Sequence, residues 1–168
     1  MKRLLQNKRL TLHIVFALLT LFCMLFIFYM SSREADDSAE ISGGVDFVLC
    51  RLFYRDFDSL NSAQKTELVL SIDHAVRKTA HAIEYMGLCL LLNFTFYTAD
   101  EKYSKRVFLS WLCAAIYAGT DEFHQLFVPG RAGRITDVLI DSLGAFAGCI
   151  LFLFIVYFVN KFHKISDN

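Results

Sequence analysis

Three short stretches of the sequence carry side chains able to do acid–base or ion-pairing chemistry. Lys78, His81, Glu84 and Tyr85 stand at i, i+3, i+6 and i+7, one helical face, with Arg77 beside them. Asp121, Glu122 and Gln125 stand at i, i+1 and i+4, with His124 among them. Asp137 and Asp141 are four apart, just after Arg131 and Arg134. A His one turn from a carboxylate can act as a general base with its orienting partner. Paired arginines suit bidentate contact with a phosphate. No nucleophile elbow, phosphate loop or dinucleotide fingerprint accompanies them, and no cofactor is expected.

These stretches must be positioned by unusually apolar elements. Of 168 residues, 55% are hydrophobic and 20% charged, Phe occurs 17 times and Pro once. Mean hydropathy is +0.42. That composition excludes a disordered chain, a coiled coil and a disulfide scaffold, and argues against an ordinary soluble globule. Seventeen basic residues balance 17 acidic ones, so no overall field recruits nucleic acid. The first apolar block, 10–30, has no formal charge and the length of a bilayer-spanning helix. Lys2, Arg3, Lys8 and Arg9 precede it, but it is longer than a signal peptide's apolar core, so a retained anchor is expected. Further blocks run over 79–98, 107–127 and 138–159. The expected fold is an all-α membrane protein with four transmembrane helices in a bundle.

Lys and Arg in short loops set the orientation. The tail 1–9, the loop 99–106 with Lys102, Lys105 and Arg106, and the tail 160–168 with Lys161 and Lys164 are expected to be cytoplasmic. The segment 31–78 and the loop 128–136 then lie outside. With alternating helices, all three polar stretches fall in one leaflet. An unpaired carboxylate in lipid costs roughly 2.5–3.5 kcal/mol or more, so these groups must face one another. Polar groups can serve only to hold helices together, yet ionisable residues in a span are a functional site by default.

Within 31–78, residues 31–42 read as loop. Val45, Val48, Leu49, Leu52, Phe53 and Phe57 form an amphipathic pattern of about three turns, too short to span and suited to the outer interface. A second helix is expected from Asn61, with Gln64 as capping-box partner, running toward the second span. Gly144-x-x-x-Gly148 and Ala115-x-x-x-Gly119 allow close helix approach, within the bundle or in a homo-oligomer. The five cysteines are odd in number and lack CxxC spacing, so neither a disulfide framework nor a zinc site is indicated. His81-x-x-Glu84 and Asp121-x-x-His124 match di-iron helix pairs only loosely, so no metal is assigned.

The runs Val76-Arg-Lys-Thr-Ala-His-Ala-Ile-Glu-Tyr85, Thr120-Asp-Glu-Phe-His-Gln-Leu-Phe-Val-Pro-Gly-Arg131 and Thr136-Asp-Val-Leu-Ile-Asp-Ser-Leu-Gly144 resemble the VanZ-like family of small bacterial membrane proteins, over 42–153. The resemblance places the family's motif positions on Arg77, Lys78, His81, Glu84, Tyr85, Asp121, Glu122, Gln125, Pro129, Gly130, Arg131, Asp137, Asp141 and Gly144. It implies a multi-pass protein of a bacterial plasma membrane, and a link to tolerance of the glycopeptide teicoplanin.

Two functions fit these residues. In the first, a lipid or cell-wall precursor head group is bound by Arg77, Lys78, Arg131 and Arg134, with Tyr85, Gln125, Asp137 and Asp141 completing the site. In the second, an intramembrane enzyme acts on a lipid-linked substrate. His81 or Glu84 is then the base, Asp121 or Glu122 its partner, and Arg131 stabilises developing charge.

Overall fold

The fold is all-helical. A computed structural model describes residues 2–33, 35–98 and 103–166, with side chains over 6–33, 43–97 and 105–162. Five helices follow in order: α1 (Lys2–Ser31), α2 (Ala35–Phe53), α3 (Ser62–Thr98), α4 (Tyr103–Gln125) and α5 (Ile135–Ser166), with a 3-10 turn at Phe57–Ser59. No strand occurs among the described residues.

Two helices contain stretches long and apolar enough to cross a membrane: Gln6–Ser31, with mean hydropathy 2.6, and Ile135–Phe162, with 2.4. In α3 the apolar run is diluted by His81, Glu84 and Asn93, and in α4 by Asp121, Glu122 and Gln125.

Helix α3 is the hub. It runs antiparallel to α1, as His13 and Phe16 near the start of α1 meet Thr95 and Phe94 near the end of α3. It runs parallel to α5, its most extensive partner, as Lys78 meets Asp137 and Cys89 meets Cys149. Helix α4 runs antiparallel to α5, with the Trp111 indole N–H donating to the Ser142 carbonyl at 3.1 Å and Arg134 lying beside Glu122. Close approach explains the α3–α5 contact. A Cβ on Gly144 would strike the Ala82 backbone, and one on Gly148 the Met86 carbonyl. Where water gives no drive to association, such backbone-level contact holds helices together.

Within the bundle, the small-residue contact of α4 is made one residue away from the expected pair. Gly119 faces open space, and Ala114 and Ala118 are the fully buried pair on α4. They join Ile27, Tyr85, Leu88, Cys89, Ala145 and Cys149 in the core. Helix register decides this: positions 114 and 118 face the core, and 115 and 119 lie a step around the cylinder.

The segment between α1 and α3 is more helical than its composition suggests. Residues 35–42, expected as loop, open α2, which has 19 residues and not three turns. Its side chains before Gly43, like the loop residues 99–102 with Lys102, lie outside the described residues. The apolar stripe of α2 points outward, with Val45, Val48, Leu52 and Phe53 all exposed. The face toward the protein instead carries Asp46 and Cys50, both buried. Phe57 belongs to the 3-10 turn and is buried, stacked edge-on with Phe47 at 5.0 Å. Helix α3 starts where expected. The Gln64 N–H donates to Asn61 Oδ1 at 2.9 Å and the Asn61 N–H to Gln64 Oε1 at 3.1 Å, a reciprocal capping box. From there α3 continues without a break for 37 residues, through the second apolar block.

Candidate functional site

The helix directions bring the end of α1, the middle of α3, the end of α4 and the start of α5 to one end of the bundle. The α4–α5 connection is shaped by its own sequence. The Arg131 N–H donates to the Val128 carbonyl at 3.1 Å around Pro129 and Gly130, and Gly130 has φ 73°. Pro at the first central position and a left-handed Gly at the second are the requirements of a type II turn. Gly133 then passes so close to α4 that a Cβ would overlap the Glu122 carbonyl. That approach lets the Arg134 backbone N–H donate to Glu122 Oε2 at 2.8 Å, just before α5 begins.

A half-open cleft of about 180 Å³ results. Its walls carry Arg77, Lys78 and His81 from α3, Glu122 and Gln125 from α4, Arg131 and Arg134 from the loop, and Asp137 and Asp141 from α5. Lys78 Nζ lies 2.6 Å from Asp137 Oδ1. Arg77 pairs with Asp73 one turn earlier at 2.8 Å. Arg131 Nε donates to the Arg33 carbonyl at 3.1 Å, which ties the loop to the end of α1. Burial, together with the neighbouring Arg77 guanidinium, pulls Arg131 below the usual guanidinium value, while Asp121, Glu122 and Asp73 act in the opposite direction.

Behind the cleft wall lies a second layer. His81 Nδ1 is 3.2 Å from Glu84 Oε2. Asp121, buried, accepts from Ser31 Oγ at 2.7 Å and from Gln125 Nε2 at 3.3 Å, both on Oδ2. Its Oδ1 has no hydrogen-bond partner, and neither has the hydroxyl of fully buried Tyr85. His81, Asp121, Glu122 and Asp141 lie within electrostatic range of one another.

Nine of the twelve side chains expected at a site therefore line one cleft, and Glu84, Tyr85 and Asp121 lie behind it. His124 turns away: its Nε2 is 3.1 Å from Ser32 Oγ and its ring stacks on Phe28 of α1. Asp121-x-x-His124 is thus split between two α1 contacts. Among the described residues, no three His, Cys, Asp or Glu side chains group to hold a metal ion.

Sequence reasoning missed several participants. His74 lines the cleft one turn before Lys78. Ser31, the last residue of α1, and Arg33 just beyond it hold Asp121 and Arg131. Asp46 of α2 is wholly buried against Asp73, the partner of Arg77. Burial first, and then the Asp73 charge, push the Asp46 carboxyl above the usual carboxylate range. The signal available was the i, i+4 spacing of Asp73 and Arg77.

A helical bundle with a charged cleft built by the Arg-Lys-x-x-His, Asp-Glu-x-x-Gln and Pro-Gly-Arg runs defines a recognisable class. The chain belongs to the VanZ/LLP1 family, whose model matches residues 16–157. No curated protein and no solved structure matches it.

Proposed function

We propose that the chain is a four-span membrane protein whose cleft opens at the outer leaflet and binds the phosphate-bearing head group of a lipid or cell-envelope precursor. The observation that carries this reading is the convergence of Arg77, Lys78, Arg131 and Arg134 on one cleft. The Arg77 guanidinium is close enough to disfavour the charge on Arg131. An anion between them relieves that repulsion, and arginine presents the planar donor fork that phosphate oxygens match.

In this reading the spans are 10–30, 79–98, 107–127 and 138–159, with 1–9 and 160–168 cytoplasmic; the family match, 16–157, takes in the first span that the expected 42–153 left out. The outward face of α2 lies in the interface, which its exposed Leu52 and Phe53 support. Holding a precursor head group at the outer surface gives a direct route to glycopeptide tolerance, teicoplanin included, by altering what the drug can reach.

The experiment is Arg131→Ala. Membrane insertion and protein level are expected to persist, while the co-purifying phospholipid in native mass spectrometry, and any drug-tolerance phenotype, are lost. Unchanged lipid retention contradicts the reading.

One observation favours a second reading. His81 faces the cleft with Glu84 3.2 Å behind it, the order of a base and its orienting carboxylate. An intramembrane enzyme on a lipid-linked substrate follows from that order. Purified protein in bilayers is then expected to convert a labelled polyprenyl-linked substrate and Glu84→Gln to stop it. Absence of turnover across lipid extracts contradicts this reading.

A further inference from the structure

The site is polarised along the bundle axis, and the polarity says more about the ligand than the cations alone. From Lys78 at the mouth, His81 lies about 4.5 Å deeper along α3 and Glu84 about 9 Å deeper, at 1.5 Å per residue. Asp141 lies about 6 Å deeper than Asp137 along α5, and Asp121 about 6 Å deeper than Gln125 along α4, which runs the opposite way. The cations thus stand at the mouth, Lys78 paired there with Asp137 and Arg77 with Asp73, and Asp141 stands one turn inside.

The inner carboxylates are under-supplied with partners. Asp121 is 2% exposed, yet its Oδ1 accepts no hydrogen bond. The Tyr85 hydroxyl, at 0% exposure, likewise has none, while Glu84 Oε2 faces His81 Nδ1 at 3.2 Å. Asp141 lines the floor of the cleft in front of them. Among these carboxylates Asp141 is the one that a ligand in the cleft can meet, and a donor placed there is favoured.

We propose that the ligand is a zwitterion of the phosphoethanolamine type: a phosphate ester gripped by the cations of the cleft, with a primary ammonium two carbons away reaching Asp141. The inference rests on the head-group reading above. In such a group phosphorus and nitrogen are separated by on the order of 5 Å by ordinary bond lengths, about the one-turn step between the two tiers. A primary ammonium has three N–H donors, matching several acceptors at once. A quaternary trimethylammonium has none. An anionic glycerol head group has no positive charge to place among carboxylates.

The test uses the full-length protein in detergent micelles supplied with equimolar phosphatidylethanolamine, phosphatidylcholine, phosphatidylglycerol and phosphatidic acid, read by native mass spectrometry. Phosphatidylethanolamine is expected to be retained at least about tenfold over the others, a factor worth 1.4 kcal/mol. Soluble phosphoethanolamine is expected to compete at lower concentration than inorganic phosphate if the head group alone suffices. A preference confined to the intact lipid assigns the same chemistry to a membrane source, and either result supports the proposal. Asp141→Asn, checked for an unchanged thermal midpoint, is expected to erase the preference for phosphatidylethanolamine over phosphatidylglycerol. Equal retention of phosphatidylglycerol and phosphatidic acid overturns the zwitterion and leaves the anion site standing. Retention of no phospholipid, with Arg131→Ala indistinguishable from the parent, overturns both.

Discussion

Lys78 Nζ sits 2.6 Å from Asp137 Oδ1, so one ion pair joins the middle of α3 to the first turn of α5 at the rim of the cleft. About a quarter of each side chain is exposed, 27% and 23%. Solvent screening therefore limits the strength of this pair to about 1 kcal/mol. Its larger role is to fix which way Lys78 points. Removing Lys78 also leaves Asp137 near Glu122 and Asp141 without its cation.

A double-mutant cycle measures that coupling. Lys78→Met and Asp137→Asn are each expected to lower the unfolding midpoint in detergent. The double variant is expected to recover part of the loss, with a coupling of roughly 0.5–1 kcal/mol. Strict additivity contradicts the pairing.

The glycines of the α3–α5 contact differ from the glycine on α4. Gly144→Ala forces a methyl against the Ala82 backbone, and Gly148→Ala one against the Met86 carbonyl. Backbone cannot rotate aside, so each is expected to cost about 1–3 kcal/mol, the range of overpacking. Gly119→Ala meets nothing within 4 Å and is expected to be neutral or stabilising by up to about 1 kcal/mol through helix propensity. Thermal unfolding of the three variants side by side decides this.

Asp46 gives the docking of α2 a pH dependence of definite sign. Its folded carboxyl is held above the usual range by burial and by Asp73. A raised acid is more readily protonated in the folded state, so its stabilisation is complete below the ordinary carboxylate value. That stabilisation falls as pH rises through the folded value. Hydrogen exchange of α2 amides, corrected for intrinsic rates, is expected to show protection decreasing from acid toward neutral pH. Asp46→Asn is expected to flatten the profile and raise protection at neutral pH. A profile that the substitution does not change contradicts the assignment.

The capping box at the start of α3 is separable from the site. Asn61→Ala removes the acceptor for the Gln64 N–H and is expected to cost about 0.5–2 kcal/mol. Because the site begins at His74, about three turns later, lipid retention is expected to be unchanged. A parallel loss of retention contradicts that independence.

Local patterns carried much of this structure and tertiary register carried the rest. The start of α3 was legible because Asn61 and Gln64 satisfy each other within four residues. The gathering of Lys78, His81, Glu122, Asp137 and Asp141 was legible from the alternation of helix direction. Which member of a small-residue pair faces a neighbour was not, because Ala114/Ala118 and Ala115/Gly119 have identical spacing and differ only in rotation. The inward face of α2 was hidden for a related reason. Its apolar stripe faces outward, as the amphipathic pattern suggested, but nothing local marked Asp46 as the buried acid that meets α3. The Ser31 and Arg33 contacts needed the loop's fold, since Arg131 reaches α1 only once Gly133 has brought the chain against α4.

The central claim is that groups from α3, the α4–α5 loop and α5 share one chamber on one side of the membrane. Single substitutions His74→Cys, Ala132→Cys and Thr136→Cys, in a chain whose native cysteines are replaced by Ala, can be probed with a membrane-impermeant maleimide on intact cells. The expected result is labelling of all three from outside, with added phospholipid head group slowing each. Labelling of any one only after the membrane is opened contradicts the chamber.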